Sequence, residues 1–240
     1  MLENIKSSCK YVSNNAKHVN INYNVLEEFV TKINCDDLKH WLSSNPYNLL
    51  ELGIERIVNL LLIYESIDYS FWGNPKWTIE TDEGLKDGAD TLLFVMIKYV
   101  REHNNTDFSK LTLEEFSNLL KGNVEISLIE ERYNTIIDIC NIVNNSMNGN
   151  FYRYIFDIKT DVELMNIIVN NFNQYKDERV YNGKTIYFYK LAQLLTSDIL
   201  HLREKIKNVN SIDINDFLFV YSKNVKDIVK PYHLCRNANY

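Results

Sequence analysis

The sequence predicts a mainly α-helical chain, a single compact helical domain over residues 1–240 with one small β-hairpin near residues 178–188. Three observations lead there. Helix breakers are scarce, with 3 prolines and 7 glycines in 240 residues, and good helix formers dominate. Apolar residues recur at spacings of three and four along most of the chain, which is the period of one helix face. Only ERVYNGKTIYFY carries a clear hairpin signature. No repeat, low-complexity linker or obvious domain boundary interrupts the pattern.

The elements follow in chain order. In NVLEEFVTKIN, Val25, Phe29, Val30 and Ile33 fall at helical spacing, and in ERIVNLLLIYE so do Ile57, Leu60, Leu61 and Tyr64. Residues Asp90 to Arg101 read as a strongly apolar, buried helix. Thr112 and Glu115 form a capping-box pattern ahead of Phe116, Leu119 and Leu120, and Gly122 fits a C-terminal stop. Leu128 to Val143 reads as a long helix through Ile129, Ile136, Ile137, Ile139 and Ile142. Thr160 and Glu163 form a second capping-box pattern, opening a helix through Leu164, Ile167, Ile168 and Phe172. Asn182-Gly183 suits the two positive-φ positions of a type I′ turn. An amphipathic helix spans Lys190 to Ile206, with Leu191, Leu194, Leu195, Ile199 and Leu202 on its apolar face. A last helix is expected from Asp216 to Ile228, stopped by Pro231, before the tail PYHLCRNANY.

Charge and composition exclude several functions. The net charge of −6 disfavours a duplex-binding protein, which would need clustered Lys and Arg. A small anionic ligand stays compatible, because a local pocket can be basic on an acidic protein. Cys9, Cys35, Cys140 and Cys235 form no CxxC pair and have no His at metal-ligand spacing, so neither a disulfide framework nor a metal site is expected. MLENIKSSCK has no apolar core of a signal peptide, and the apolar run around Leu60–Ile63 is too short to span a bilayer. A cytoplasmic protein with no cofactor and no membrane partner is the expectation. Nucleotide-loop, zinc-protease and serine-hydrolase signatures are absent from the sequence.

Four local clusters could carry chemistry. IDYSFWGNPKW (67–77) crowds Ile67, Tyr69, Phe71, Trp72 and Trp77 around Gly73 and Pro75. Its rings either plug the core or wall a site for a flat ligand. SLIEERY (127–133) puts Glu130, Glu131 and Arg132 at a helix start, where such runs usually face solvent. In FYKLAQLLTSD (188–198), Lys190 begins a helix, where the dipole does not favour a cation. That misfit raises an anion-binding role, with Asp198 two turns further on the same face. In DINDFLFVYS, Asp213 and Asp216 are carboxylates beside Phe217 and Phe219. Tyr232, His233, Arg236 and Tyr240 follow, aromatic enough for the tail to dock.

Taken in order, these stretches resemble one family. SFW (70–72), LTLEEFSNLLKG (111–122), ISLIEER (126–132), FYKLAQLL (188–195) and PYHLCRNANY are similar to the queuosine salvage proteins, and SCKYVSNNAKHVNIN (8–22) is similar to their opening segment. The resemblance implies a helical fold like that of DNA glycosylases. It implies hydrolysis of the N-glycosidic bond of queuosine 5′-phosphate, releasing the 7-deazaguanine-type base queuine for tRNA modification, with a small nucleotide rather than nucleic acid as partner. Such a cleavage passes through an oxocarbenium-like state, so a carboxylate must stabilise it, attack it or activate water.

On that resemblance, Phe71 and Trp72 build the base pocket. Lys190 and Arg132 serve anionic or hydroxyl groups, and Tyr189 positions Lys190. The family's FADYR-like segment, whose Asp is its natural catalytic carboxylate, has no counterpart between FYKLAQLLTSDILHLREKI and NDFLFVYS; forced onto FVYSKNV, its Asp would become Ser222. In the preferred register a late substrate-binding Asp falls at Asn215, and Phe219 replaces a Trp. Asp216 then becomes the expected catalytic carboxylate, with Asp213 and Asp198 as alternatives. Asp68 stands where an Asn is usual, and Ser127 where a Pro is usual. The alternative function is a catalytically inactive homologue that retains a nucleoside or nucleotide pocket.

Overall fold

A computed structural model gives the fold and describes residues 1–33, 40–43, 47, 49–81 and 84–206. In chain order the elements are α1 (Leu2–Asn15), α2 (Tyr23–Lys32), α3 (Ile54–Ile67), the hairpin β1 (Thr78–Thr81) and β2 (Gly84–Asp87), and α4 (Gly88–His103). There follow α5 (Leu113–Leu119), α6 (Ile129–Ser146), α7 (Phe151–Tyr154) and α8 (Asp161–Asn171). The hairpin β3 (Glu178–Tyr181) and β4 (Lys184–Tyr187) leads into α9 (Lys190–Ile206). The chain is mainly helical, as predicted. By contacts, the described residues fall into two compact units, one from residues 45–159 and one joining the residues before 45 to those from Thr160 on.

The 45–159 unit is organised around α3. Every side chain from Ile57 to Ile67 is buried, which an almost uniformly apolar helix requires. The 3-10 turn Leu49–Leu52 and helices α4, α6 and α7 pack on it. Each fully buried Leu or Ile there contributes roughly 1.5–3 kcal/mol. The Thr112 capping box is present: the Glu115 amide donates to Thr112 Oγ1 at 3.2 Å, and the Thr112 amide donates to Glu115 Oε2 at 2.8 Å. Helix α4 ends on Asn104 in the left-handed region (φ 51°), with Arg101 and His103 in its last turn, where the helix dipole favours cations.

The hairpin β1–β2 lies outside what the sequence predicts. TIETDEGLKD has neither an Asn-Gly turn nor strong alternation, and tertiary bonds hold it instead. Asn123 clamps β1: the Thr78 amide donates to its Oδ1 at 2.8 Å, and its own amide donates to the Thr78 carbonyl at 3.0 Å. Trp77 Nε1 donates to the Leu120 carbonyl at 2.9 Å, and the ring is only 4% exposed. Gly122 is therefore more than a helix stop. Helix α5 already ends at Leu119, and a Cβ on Gly122 would lie 2.8 Å from Trp77 Nε1. The glycine is required for close approach of Trp77 and β1.

In the other unit α8 and α9 pack together, with Leu164, Ile168, Phe172, Leu195, Ile199 and Leu202 essentially inaccessible. The Glu163 amide donates to Thr160 Oγ1 at 3.3 Å, capping α8 as expected. The predicted hairpin is present, with Val180 opposite Thr185 and Tyr181 opposite Lys184. Asn182 and Gly183 both have positive φ, at 48° and 77°, which fits a type I′ turn. Helix α1, not read from the sequence, packs on β4 through the Tyr187 amide, which donates to the buried Ser8 Oγ at 3.0 Å. Helix α2 forms where the spacing predicts it, capped by Asn22, but has no buried residue. The helix expected at Asp216–Ile228 and the tail lie outside the described residues.

Gly122→Ala is expected to destabilise the chain by about 1–3 kcal/mol, since either the Trp77 ring or β1 must move. Urea unfolding monitored by tryptophan fluorescence measures this. An unchanged midpoint would contradict the close-approach explanation.

Candidate functional site

The turn that leaves α3 is fixed by one side chain. A helix C-terminus leaves carbonyls without intrahelical partners. Here Arg132, in the first turn of α6, supplies donors. Its Nη1 donates to the Ile67 carbonyl and its Nη2 to the Tyr69 carbonyl, with the Ser70 carbonyl at 3.4 Å from Nη2. Nε donates to the Ser127 carbonyl at 2.9 Å. The side chain is wholly buried, at 0% exposure. Its guanidinium also lies 4.6 Å from the Tyr69 ring centroid and 4.9 Å from that of Phe71, in cation–π contact. Ser127 adds a second tie by donating its hydroxyl to the Ser70 carbonyl. Ser70 sits at φ 53°, a conformation a non-glycine residue holds only when its surroundings enforce it.

This buttress sets the rings. Phe71 is half-buried, between the Arg132 guanidinium and the Trp77 ring, whose centroid is 6.3 Å away at an interplanar angle of 24°. Trp72 is 62% exposed. The core reading of IDYSFWGNPKW holds for part of the stretch only. Trp77 and Ile67 are core, while Phe71 and Trp72 form a ring-bearing surface on an anchored turn. Glu130 and Glu131 are exposed, the ordinary fate of such charges. Arg132, expected from the resemblance to serve a ligand, is buried and donates to backbone carbonyls, so that it supports this turn. Ser127, singled out only as a departure from Pro, is the second support.

The other predicted residues lie in the second unit. Tyr189 is 6% exposed, has φ 46°, and donates its hydroxyl to Glu178 Oε1 at 2.7 Å. Burial, reinforced by Glu178, pushes its phenol pKa up, so it stays a neutral donor. Lys190 is the first residue of α9 and is half-buried. Asp198 is 1% exposed. Trp41 Nε1 donates to its carboxylate at 3.1 Å, and His40 Nε2 lies 3.3 Å from Oδ1. His40 stacks on His201 with centroids 3.7 Å apart, and the His201 ring is 3.0 Å from the Ser43 hydroxyl. This strap of residues 40–43 onto α9 was not legible in the sequence. Asn215, Asp216 and Phe219, with Asp213, His233 and Arg236, lie outside the described residues.

Two other features of the 45–159 unit do not suit the expected chemistry. A cavity lined by Asn59, Asp107, Cys140, Asn144 and Phe151 has a volume of about 40 Å³, room for water but not for a nucleotide. Burial pushes the Cys140 thiol up to about 12, so it is not a nucleophile near neutral pH.

The family model described as queuosine salvage protein matches residues 49–205. The chain belongs to that family. It is 28% identical over 152 residues to the queuosine 5′-phosphate N-glycosylase/hydrolase of Sphaerobacter thermophilus, covering 61% of this chain and 47% of that protein. It is 24% identical over 209 residues to the protein of that name from Bos taurus, covering 80% of this chain and 61% of the relative. With that from Dictyostelium discoideum it shares 22% over 214 residues, 81% of this chain and 62% of the relative. The chain thus spans about half to three-fifths of the length of these relatives. The family match takes in Phe71, Trp72, Arg132, Tyr189 and Lys190 and ends before Asn215. Among the described residues, no helix is long and apolar enough to cross a membrane.

Arg132→Ala is expected to cost about 3–5 kcal/mol, because it empties a fully buried site and takes donors from the Tyr69 and Ser127 carbonyls, while Ile67 keeps the Tyr69 amide and Ser70 keeps the Ser127 hydroxyl. Arg132→Lys is expected to recover less than half, lacking the planar fork. Denaturant midpoints measure both; a lysine variant as stable as the parent would refute the carbonyl-clamp role.

Proposed function

We propose that this chain binds queuosine 5′-phosphate and hydrolyses its N-glycosidic bond, releasing queuine for salvage in the cytoplasm. The observation that carries this reading is the family match through residues 49–205, which spans the braced ring turn and the Tyr189-Lys190 helix start. In this reading residues 1–240 act as one domain. Trp72 and Phe71 stack on the base, and an exposed ring on a rigid turn suits that role because it loses little freedom on binding. Arg132 acts as a positioning residue beneath them. Lys190 contacts the 5′-phosphate and Tyr189 holds the start of its helix. Asn215 and Phe219 complete the substrate contacts, and Asp216 supplies the carboxylate for the oxocarbenium-like state. No metal or other cofactor takes part in this proposal.

A second reading is favoured by one specific observation. The FADYR-like carboxylate segment that the resemblance implies has no match in this sequence; in this reading the chain binds the nucleotide without cutting it. One experiment separates the two. Purified protein is incubated with queuosine 5′-phosphate, free queuine is followed by mass spectrometry, and binding is followed by calorimetry. Release supports the enzyme; binding without release supports the non-catalytic binder; neither would sink the ligand assignment.

Two substitutions sharpen the test. Trp72→Ala is expected to weaken binding by roughly tenfold or more, the range for losing one base–aromatic stack. Unchanged affinity would remove Trp72 from the wall. If turnover is present, Asp216→Asn is expected to lower it by at least about tenfold, corresponding to about 1.4 kcal/mol of transition-state stabilisation. Unaltered turnover would exclude Asp216 as the carboxylate.

A further inference from the structure

The start of α9 is held in an unusual way. Four consecutive amides, Phe188 to Leu191, converge on one residue, Asp177. Its carbonyl accepts from the Phe188 amide at 2.9 Å and from the Tyr189 amide at 3.5 Å. Its carboxylate accepts from the Leu191 amide at 3.2 Å and also from that of Lys190. Asp177 is itself only 9% exposed. The next residue, Glu178, accepts the Tyr189 hydroxyl at 2.7 Å. Tyr189 can therefore hold φ at 46°, a conformation that costs a non-glycine residue of order 1–3 kcal/mol unless its surroundings enforce it.

A helix N-terminus with free amides is a ready site for a phosphate. In this protein an internal carboxylate already occupies it. The first amides of α9 are thus withdrawn from any ligand, and the anion-binding capacity of this helix start rests on the Lys190 side chain. Burial holds the Asp177 pKa above its ordinary value, although the two amides oppose that shift. A carboxylate kept in so dry a place is held for the geometry it imposes.

We propose that Asp177 is the positioning residue for Lys190, fixing the backbone of residues 188–191 so that the lysine, and not the helix amides, meets the ligand's phosphate. This rests on the reading of Lys190 as the phosphate contact.

The test uses the full chain and two ligands, queuosine 5′-phosphate and its unphosphorylated nucleoside, with affinities from calorimetry. Asp177→Ala is expected to weaken the phosphorylated ligand by roughly tenfold and the nucleoside by less than about threefold, the difference a misplaced charge contact would give. Asp177→Asn, which keeps an acceptor for the amides, is expected to restore affinity to within about threefold of the parent. The double variant Asp177→Ala/Lys190→Ala is expected to bind no more weakly than Lys190→Ala alone. Should Asp177→Ala fail to fold, Asp177→Ser carries the same test, since its shorter side chain does not span both amides. Equal loss of the two ligands, no rescue by Asn, or additive losses in the double variant would each overturn the role of Asp177 while leaving the ligand assignment intact. A parent chain that binds neither ligand would overturn both.

Discussion

The buried guanidinium of Arg132 is the constraint on which the candidate wall depends. A helix as apolar as α3 is driven into the core by its side chains, but its last carbonyls go with it. Those carbonyls need donors where little water reaches them, and the Tyr69 amide supplies one to Ile67 alone. A lysine would offer a point charge; an arginine offers a fork that reaches Ile67, Tyr69 and Ser127 at once. The same group then lies against Tyr69 and Phe71. One side chain thereby ends a helix, stabilises a turn with a positive-φ serine, and sets the tilt of the rings that follow. Trp77 closes the other end of the stretch by packing against Gly122 and bonding to Leu120. Between these two anchors, Trp72 is presented outward on a backbone that cannot easily collapse.

Much of this fold was legible, and the gaps have physical causes. Long apolar helices announced themselves by period, and the caps at Thr112 and Thr160 by residue type. The Asn182-Gly183 turn was equally plain, since few other pairs tolerate two positive φ values. Helix α1 was missed because it buries only Ser8 and so shows little apolar stripe. The β1–β2 hairpin was missed because its support comes from Asn123, 45 residues along the chain from Thr78, and no local pattern records such a bond.

The site was less legible than the fold. In LIEER, three adjacent charges look alike as composition, yet Ile129, Arg132, Ile136 and Ile139 repeat on one face, and all four are buried. Helical phase therefore contained the signal that Arg132 points inward. No comparable signal marked Asp177, His40 or His201, because their partners are remote in sequence or are backbone amides. A carboxylate that binds amides leaves no charge pattern to read.

The placement of Asp198 bears on which group could perform the proposed cleavage. A carboxylate that meets a developing oxocarbenium ion must present an oxygen to the sugar. Both oxygens of Asp198 receive the Trp41 indole N–H, one also faces His40, and the residue is 1% exposed. Freeing either would dismantle the strap that holds residues 40–43 on α9, and with it a buried stack of two imidazoles. Asp177 is likewise engaged by the amides of α9. Two of the buried aspartates near the helix that carries Lys190 are thus committed to holding that helix. Within the proposed reaction, this shifts the demand for a carboxylate toward Asp213 and Asp216, and it makes the Asp216 substitution the more discriminating one.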